Sequence, residues 1–127
     1  MLGQKKQKDE EIKAFLGKGA KFTGKLIFNG AVRIDGDYQG EIFGEGSLII
    51  GEGALVEADI SADSVSISGE VHGKIDVTEK VEIYSTGKLW GDVKTPVFVI
   101  KEGAIFDGMS KMKEASAAIR SEAQKAA

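Results

Sequence analysis

The sequence contains no cysteine and only one proline. Without thiols there is no disulfide framework, no thiolate metal site and no cysteine nucleophile. With proline nearly absent, the 17 glycines carry almost all of the turn punctuation. No run approaches the roughly 20 apolar residues that a membrane-spanning helix requires. The opening MLGQKKQKDEE lacks the apolar core of a secretory signal, so the cytoplasm is the expected compartment. A net charge of −3 over 127 residues gives the molecule as a whole no strong attraction to nucleic acid.

The charge that is present is segregated. Residues 1–25 hold seven lysines against three acids, a net of +4, and residues 111–127 hold four basic residues against two acids. Residues 26–110 hold six basic and fifteen acidic residues, a net of −9. The chain therefore reads as an acidic body with two basic ends.

The body repeats itself. Short β-rich runs begin at Val32, Leu48, Val65, Val81 and Val97, with spacings of 16, 17, 16 and 16 residues. Each is followed by a glycine: Gly36, Gly53, Gly69, Gly87, Gly103. A partial copy, FTGKLIF at 22–28, marks the front. Inside each repeat apolar and polar residues alternate, as in VSISGEVHGKIDV, where glycines replace two inward side chains. Glycine weakens a strand, so its recurrence at fixed places marks sharp corners. A period of 16–17 is short for a propeller blade and has no room for a helix. It suits one turn of a parallel β-solenoid made of three short strands. Two inward ladders are expected, Val32/Leu48/Val65/Val81/Val97 and Ile34/Ile50/Ile67/Ile83/Val99. A sandwich or barrel would show recurrent Asn-Gly or Asp-Gly hairpins at less regular spacing, and no such turn recurs.

A stacked coil satisfies its backbone from the coils above and below, so the first and last coils leave edges and an apolar cross-section open. The flanks look like poor caps. Residues 111–127 have helix propensity but few large apolar side chains, and residues 1–20 are lysine-rich, with IKAFL as the one apolar cluster. Ile12, Phe15 and Leu16 in it follow helical spacing. About six coils, roughly 29 Å at 4.8 Å per coil, with two adhesive ends predict end-to-end self-assembly. The candidate interface residues are Phe106, Ile105, Val97 and Val99 at one end and Leu26 and Phe28 at the other. Aligning GALVEA (53–58) with GAIFDG (103–108) puts Phe106 at the position of Val56, in a terminal layer that no later coil covers.

Taken together, GKLIFNGAVRIDGDYQGEI, LIIGEGALVEADI and IKEGAIFDG resemble the bactofilin family over residues 20–110. The resemblance implies a right-handed triangular β-helix of about six coils, filaments formed without nucleotide through subunit ends, and attachment to the inner face of the cytoplasmic membrane. It also implies scaffolding of wall-modifying enzymes or polarity proteins, and a terminal-coil phenylalanine important for polymerisation, matched by Phe106. Met1, Leu2, Lys5, Lys6 and Lys8 are similar to the family's membrane-targeting start, with Leu2 in place of the commoner phenylalanine. Without the family, Lys5, Lys6, Lys8, Lys13, Lys18, Lys21 and Lys25 support that contact at about 1 kcal/mol each beside anionic lipid, and Leu2 with the Ile12, Phe15, Leu16 cluster adds apolar insertion.

Three features point elsewhere. GAKFTGKL, Gly19 to Leu26, mimics a phosphate-binding loop, but Leu26 replaces the hydroxyl residue, and a β pattern follows where a helix should start. His72, the one histidine, has only Glu70 or Asp76 as metal co-ligands, a weak set for zinc, and alternation turns it outward. IGEGALV resembles a hexapeptide repeat of β-helix acyltransferases, the enzyme alternative, but six-residue spacing does not continue. A non-polymerising binding module is the other alternative. The expected organisation is a basic flexible tail (1–20), an all-β solenoid (21–110) and a polar flexible tail (111–127), with no catalytic residues, cofactor, metal or nucleic-acid partner.

Overall fold

The computed structural model describes residues 12–112 and 118–121. Every regular element among them is a strand: β1 (Ile12–Leu16), β2 (Lys21–Ile34), β3 (Asp37–Ile50), β4 (Leu55–Ile67), β5 (Glu70–Ile83), β6 (Lys88–Thr95), β7 (Val97–Ile100), β8 (Ile105–Met112) and β9 (Ala118–Ser121). All of the pairing is parallel, and each long strand lies against its counterpart one turn later. The result is a β-solenoid of about six turns.

Each turn has three sides because alternation is interrupted twice. At the first bend Gly24 pairs with Gly40, Gly40 with Ala58, Gly73 with Gly91 and Gly91 with Gly108. The glycines of this column have φ between 134° and 155°, which L side chains rarely adopt. A Cβ on Gly40, Gly91 or Gly108 would also run into the carbonyl oxygen of the glycine in the preceding coil. At these glycines the missing Cβ lets the backbones stack at strand spacing, while Ala58 takes the corresponding place in the coil between Gly40 and Gly73.

Between corners, alternate side chains enter one continuous core. Leu48, Val65 and Val81 form one ladder and Ile50, Ile67 and Ile83 another, all essentially inaccessible. Fully burying each such side chain contributes about 1.5–3 kcal/mol. Polar residues take the outward positions, and some bond along the axis, as Gln39 does to Glu57 (2.9 Å).

The expected ladders fail in the last coil. Val81 pairs with Phe98 and Ile83 with Ile100, so Phe98 and Ile100 point inward, and Val97 and Val99 are half-exposed. The reason is the corner at Thr95–Pro96. The buried Thr95 hydroxyl donates to the carbonyl of Val97 (2.8 Å) and accepts from its N–H (3.3 Å). That turn holds Val97 at the corner and makes Phe98 the first inward residue, 17 positions after Val81 rather than 16.

The parallel ladder also runs past residues 21 and 110. β1 pairs with Ala31–Ile34 of β2, and β9 pairs with β7. The helical spacing of Ile12, Phe15 and Leu16 is therefore not realised; the segment is extended and adds an edge strand. The helix propensity of the C-terminal segment likewise yields to strand pairing over 118–121. The looped mimic of a phosphate site, 19–26, is a turn followed by β2.

Candidate assembly faces

The side of the solenoid that contains Val32, Leu48, Val65 and Val81 is extended by β1 at the front and β9 at the back. The other two sides are not extended. Residues 21–30 of β2 have no strand in front of them, and β8 has none behind it, among the described residues. Each such edge presents unpaired backbone groups that can template another strand.

The front face is apolar. Ala14, Phe15, Leu16, Phe22, Leu26, Val32, Ile34 and Tyr38 line a cavity of about 190 Å³ that opens at the end of the core. Phe22 stacks on Tyr38, with ring centroids 5.2 Å apart and planes 11° off parallel. The Tyr38 hydroxyl donates toward the carbonyls of Gly24 (3.1 Å) and Glu41 (2.6 Å). Burial raises its pKa above the ordinary value of 10.0. Leu26 is half-buried against the core, whereas Phe28 is a core residue, its ring lying over Gly44 where a Cβ would collide with it. Leu26 thus belongs to the open face, and Phe28 belongs to the interior behind it.

At the back, Phe106 continues the column Val56, Val71, Leu89, as the alignment of GALVEA with GAIFDG requires. It is half-buried and packs edge-to-face on Phe98, centroids 5.1 Å apart at 85°. Ile105 is 44% exposed and Met109 68%. Val97 and Val99 lie on the outer wall of the same coil.

Phe22 was not among the sequence candidates. Its signal was available, because it occupies the same column as Phe106 at the opposite end. Phe15, expected from the sequence in a helically spaced apolar cluster, stands exposed on strand β1 instead. Of the seven large apolar side chains that are exposed among the described residues, only Tyr84 lies away from the two coils at either end. His72 lies on a side wall, bonded to Glu70 (2.8 Å) and stacked on Trp90, centroids 4.7 Å apart. Met1, Leu2, Lys5, Lys6 and Lys8 lie outside the described residues.

The fold and its end faces define a class: short parallel β-solenoids with apolar terminal coils. The chain belongs to the bactofilin family, whose model, described as polymer-forming cytoskeletal, matches residues 14–111. Two relatives from Myxococcus xanthus (strain DK1622) are similar to it. Bactofilin BacO is 33% identical over 93 residues, covering 73% of this chain and 74% of its own. Bactofilin BacP is 30% identical over 97 residues, covering 76% of this chain and 40% of its own. The chain thus spans well under half the length of BacP. No solved structure matches it. No helix among the described residues is long and apolar enough to cross a membrane.

Proposed function

We infer that the protein is a scaffold that assembles end to end, without nucleotide, into filaments through its terminal coils. The observation that carries this reading is the placement of exposed large apolar side chains at the two ends of the solenoid, beside unpaired strand edges. Phe106, Ile105 and the outward Val97 and Val99 supply the back contact; Leu26, Phe15 and Phe22 supply the front one, with Phe28 supporting it from within. An interface built on aromatic anchors derives most of its strength from a few such residues.

Attachment to the inner face of the cytoplasmic membrane is part of the proposal, with Leu2, Lys5, Lys6 and Lys8 as the contact. One such segment binds weakly, but a filament presents many copies and converts marginal contacts into firm ones. Organisation of cell shape, through wall-modifying enzymes or polarity proteins held on the side walls, completes the reading.

Electron microscopy of the purified full chain in nucleotide-free buffer tests the core of this proposal. Filaments are expected. A single monomeric species in sedimentation at the same concentrations would favour a non-polymerising binding module instead.

A further inference from the structure

We propose that residues 1–8 dock on the chain's own side wall, with Met1 and Leu2 seated between Ile27 and Phe43, and that this docking holds the segment back from competing surfaces. The consequence for membrane contact rests on the reading proposed above; the docking itself does not.

The wall is the second side of the solenoid, which follows the Gly24 bend. Ile27 is 71% exposed there, and Phe43, its partner one coil behind, is 39% exposed. Both point outward from a side, so a subunit stacked on the terminal coil leaves them open. They flank a groove of about 520 Å³ that Gly44, Glu45 and Ser61 also line. Two local features shape it. The Phe28 ring fills the space a side chain on Gly44 would need. The pairing of β3 with β4 also slips between Phe43 and Ser47, so residues 44–46 form a bulge, a device that re-aims neighbouring side chains.

The charges around the groove select its occupant. Glu41 and Glu45 lie two residues to either side of Phe43, and Asp59 pairs with Glu41 in the next coil. All three are exposed and form no ion pair among the described residues. A second copy docking by the same wall would set these carboxylates against their own kind, and an anionic bilayer would meet the same repulsion. The fitting occupant is apolar at its tip and basic behind it. MLGQKKQK supplies both, with Met1 and Leu2 first and Lys5, Lys6 and Lys8 after them.

The segment is also within reach. Ile12 pairs with Ala31, which lies on β2 four residues from Ile27, about 13 Å at the strand rise. The stretch from Leu2 to Ile12 spans up to roughly 33 Å. A tip tethered at that range meets the groove at an effective concentration on the order of millimolar, so a weak apolar contact suffices to hold it.

The absence of cysteine from the chain makes a cross-linking test specific. The full chain carrying L2C/S61C is oxidised, with L2C/E102C, whose second cysteine lies in the turn before β8, as the control. An intramolecular disulfide should form at least about tenfold faster in L2C/S61C than in the control. Adding Ile27→Ser, at an exposed position, should slow it about tenfold with an unchanged β spectrum. Equal rates in the two pairs, or a rate indifferent to Ile27→Ser, would overturn the docking. Disulfide-linked dimers in place of the intramolecular product would assign the groove to a neighbouring copy and overturn it too. Flotation with vesicles containing phosphatidylserine reads the consequence separately. Ile27→Ser in the otherwise native chain should float several-fold more than the parent. Slower cross-linking without that gain would uphold the docking and overturn its role in withholding the segment from membrane.

Discussion

Phe98 and Phe106, on successive strands of the last coil, meet edge-to-face with ring centroids 5.1 Å apart. Phe98 is fully enclosed, whereas Phe106 has one side on Phe98 and the other toward the end of the solenoid. The pair joins the sealed core to the open face.

The glycine column makes a graded stability prediction. A Cβ on Gly91 meets the Gly73 carbonyl oxygen at a φ of 138°, so Gly91→Ala should cost about 3–5 kcal/mol. At Gly24 no strand precedes among the described residues, and the Cβ meets only the Phe22 ring at 3.5 Å. Gly24→Ala, at a φ of 144°, should cost about 1–2 kcal/mol. Denaturant unfolding of both variants reads the difference, and equal losses would contradict the stacking argument.

Thr95→Val keeps the shape of a buried residue and removes both of its bonds to Val97. The orphaned backbone groups should lower stability by about 1–3 kcal/mol. Thermal unfolding should show the loss; a neutral result would mean that Pro96 alone sets the corner.

Tyr38 gives a pH dependence. Burial raises its folded pKa above the unfolded value of 10.0, so the neutral hydroxyl is favoured in the folded state. The associated stability is fully present below pH 10 and is lost as pH rises through the higher folded pKa. Tyr38→Phe should cost about 1 kcal/mol near neutrality from the lost hydroxyl bonds. The gap between the two proteins should close in alkaline solution. A constant gap from pH 7 to pH 11 would contradict this.

The period, the three sides and the inward columns were legible because a stacked coil repeats its physical demands every turn. Leu48, Val65 and Val81 had to recur once the strands paired, and glycine had to recur where backbones cross closely. The slip at Val97 was not legible. The buried Thr95 occupies a core position that reads as polar, and the corner it makes with Pro96 shifts the count by one. β1 was missed because Ile12, Phe15 and Leu16 satisfy a helical spacing as well as a strand, and only pairing with Ala31–Ile34 decides between them. The place of Phe106 in the last layer was legible because its column is regular to the end. Phe22, in the same column, was missed because the partial first copy seemed to end the pattern rather than mirror its far end.

The central claim is that the open terminal coils find cover against other copies, and Phe106→Arg tests it most directly. In an isolated solenoid the arginine stem can lie along the core edge with its guanidinium in water. At a subunit contact the same charge would be buried without a partner. Sedimentation of the parent and the variant under filament-forming conditions is the measurement. The account predicts that the parent pellets while the variant stays in the supernatant with an unchanged β spectrum. A folded variant that pellets as the parent does would contradict it.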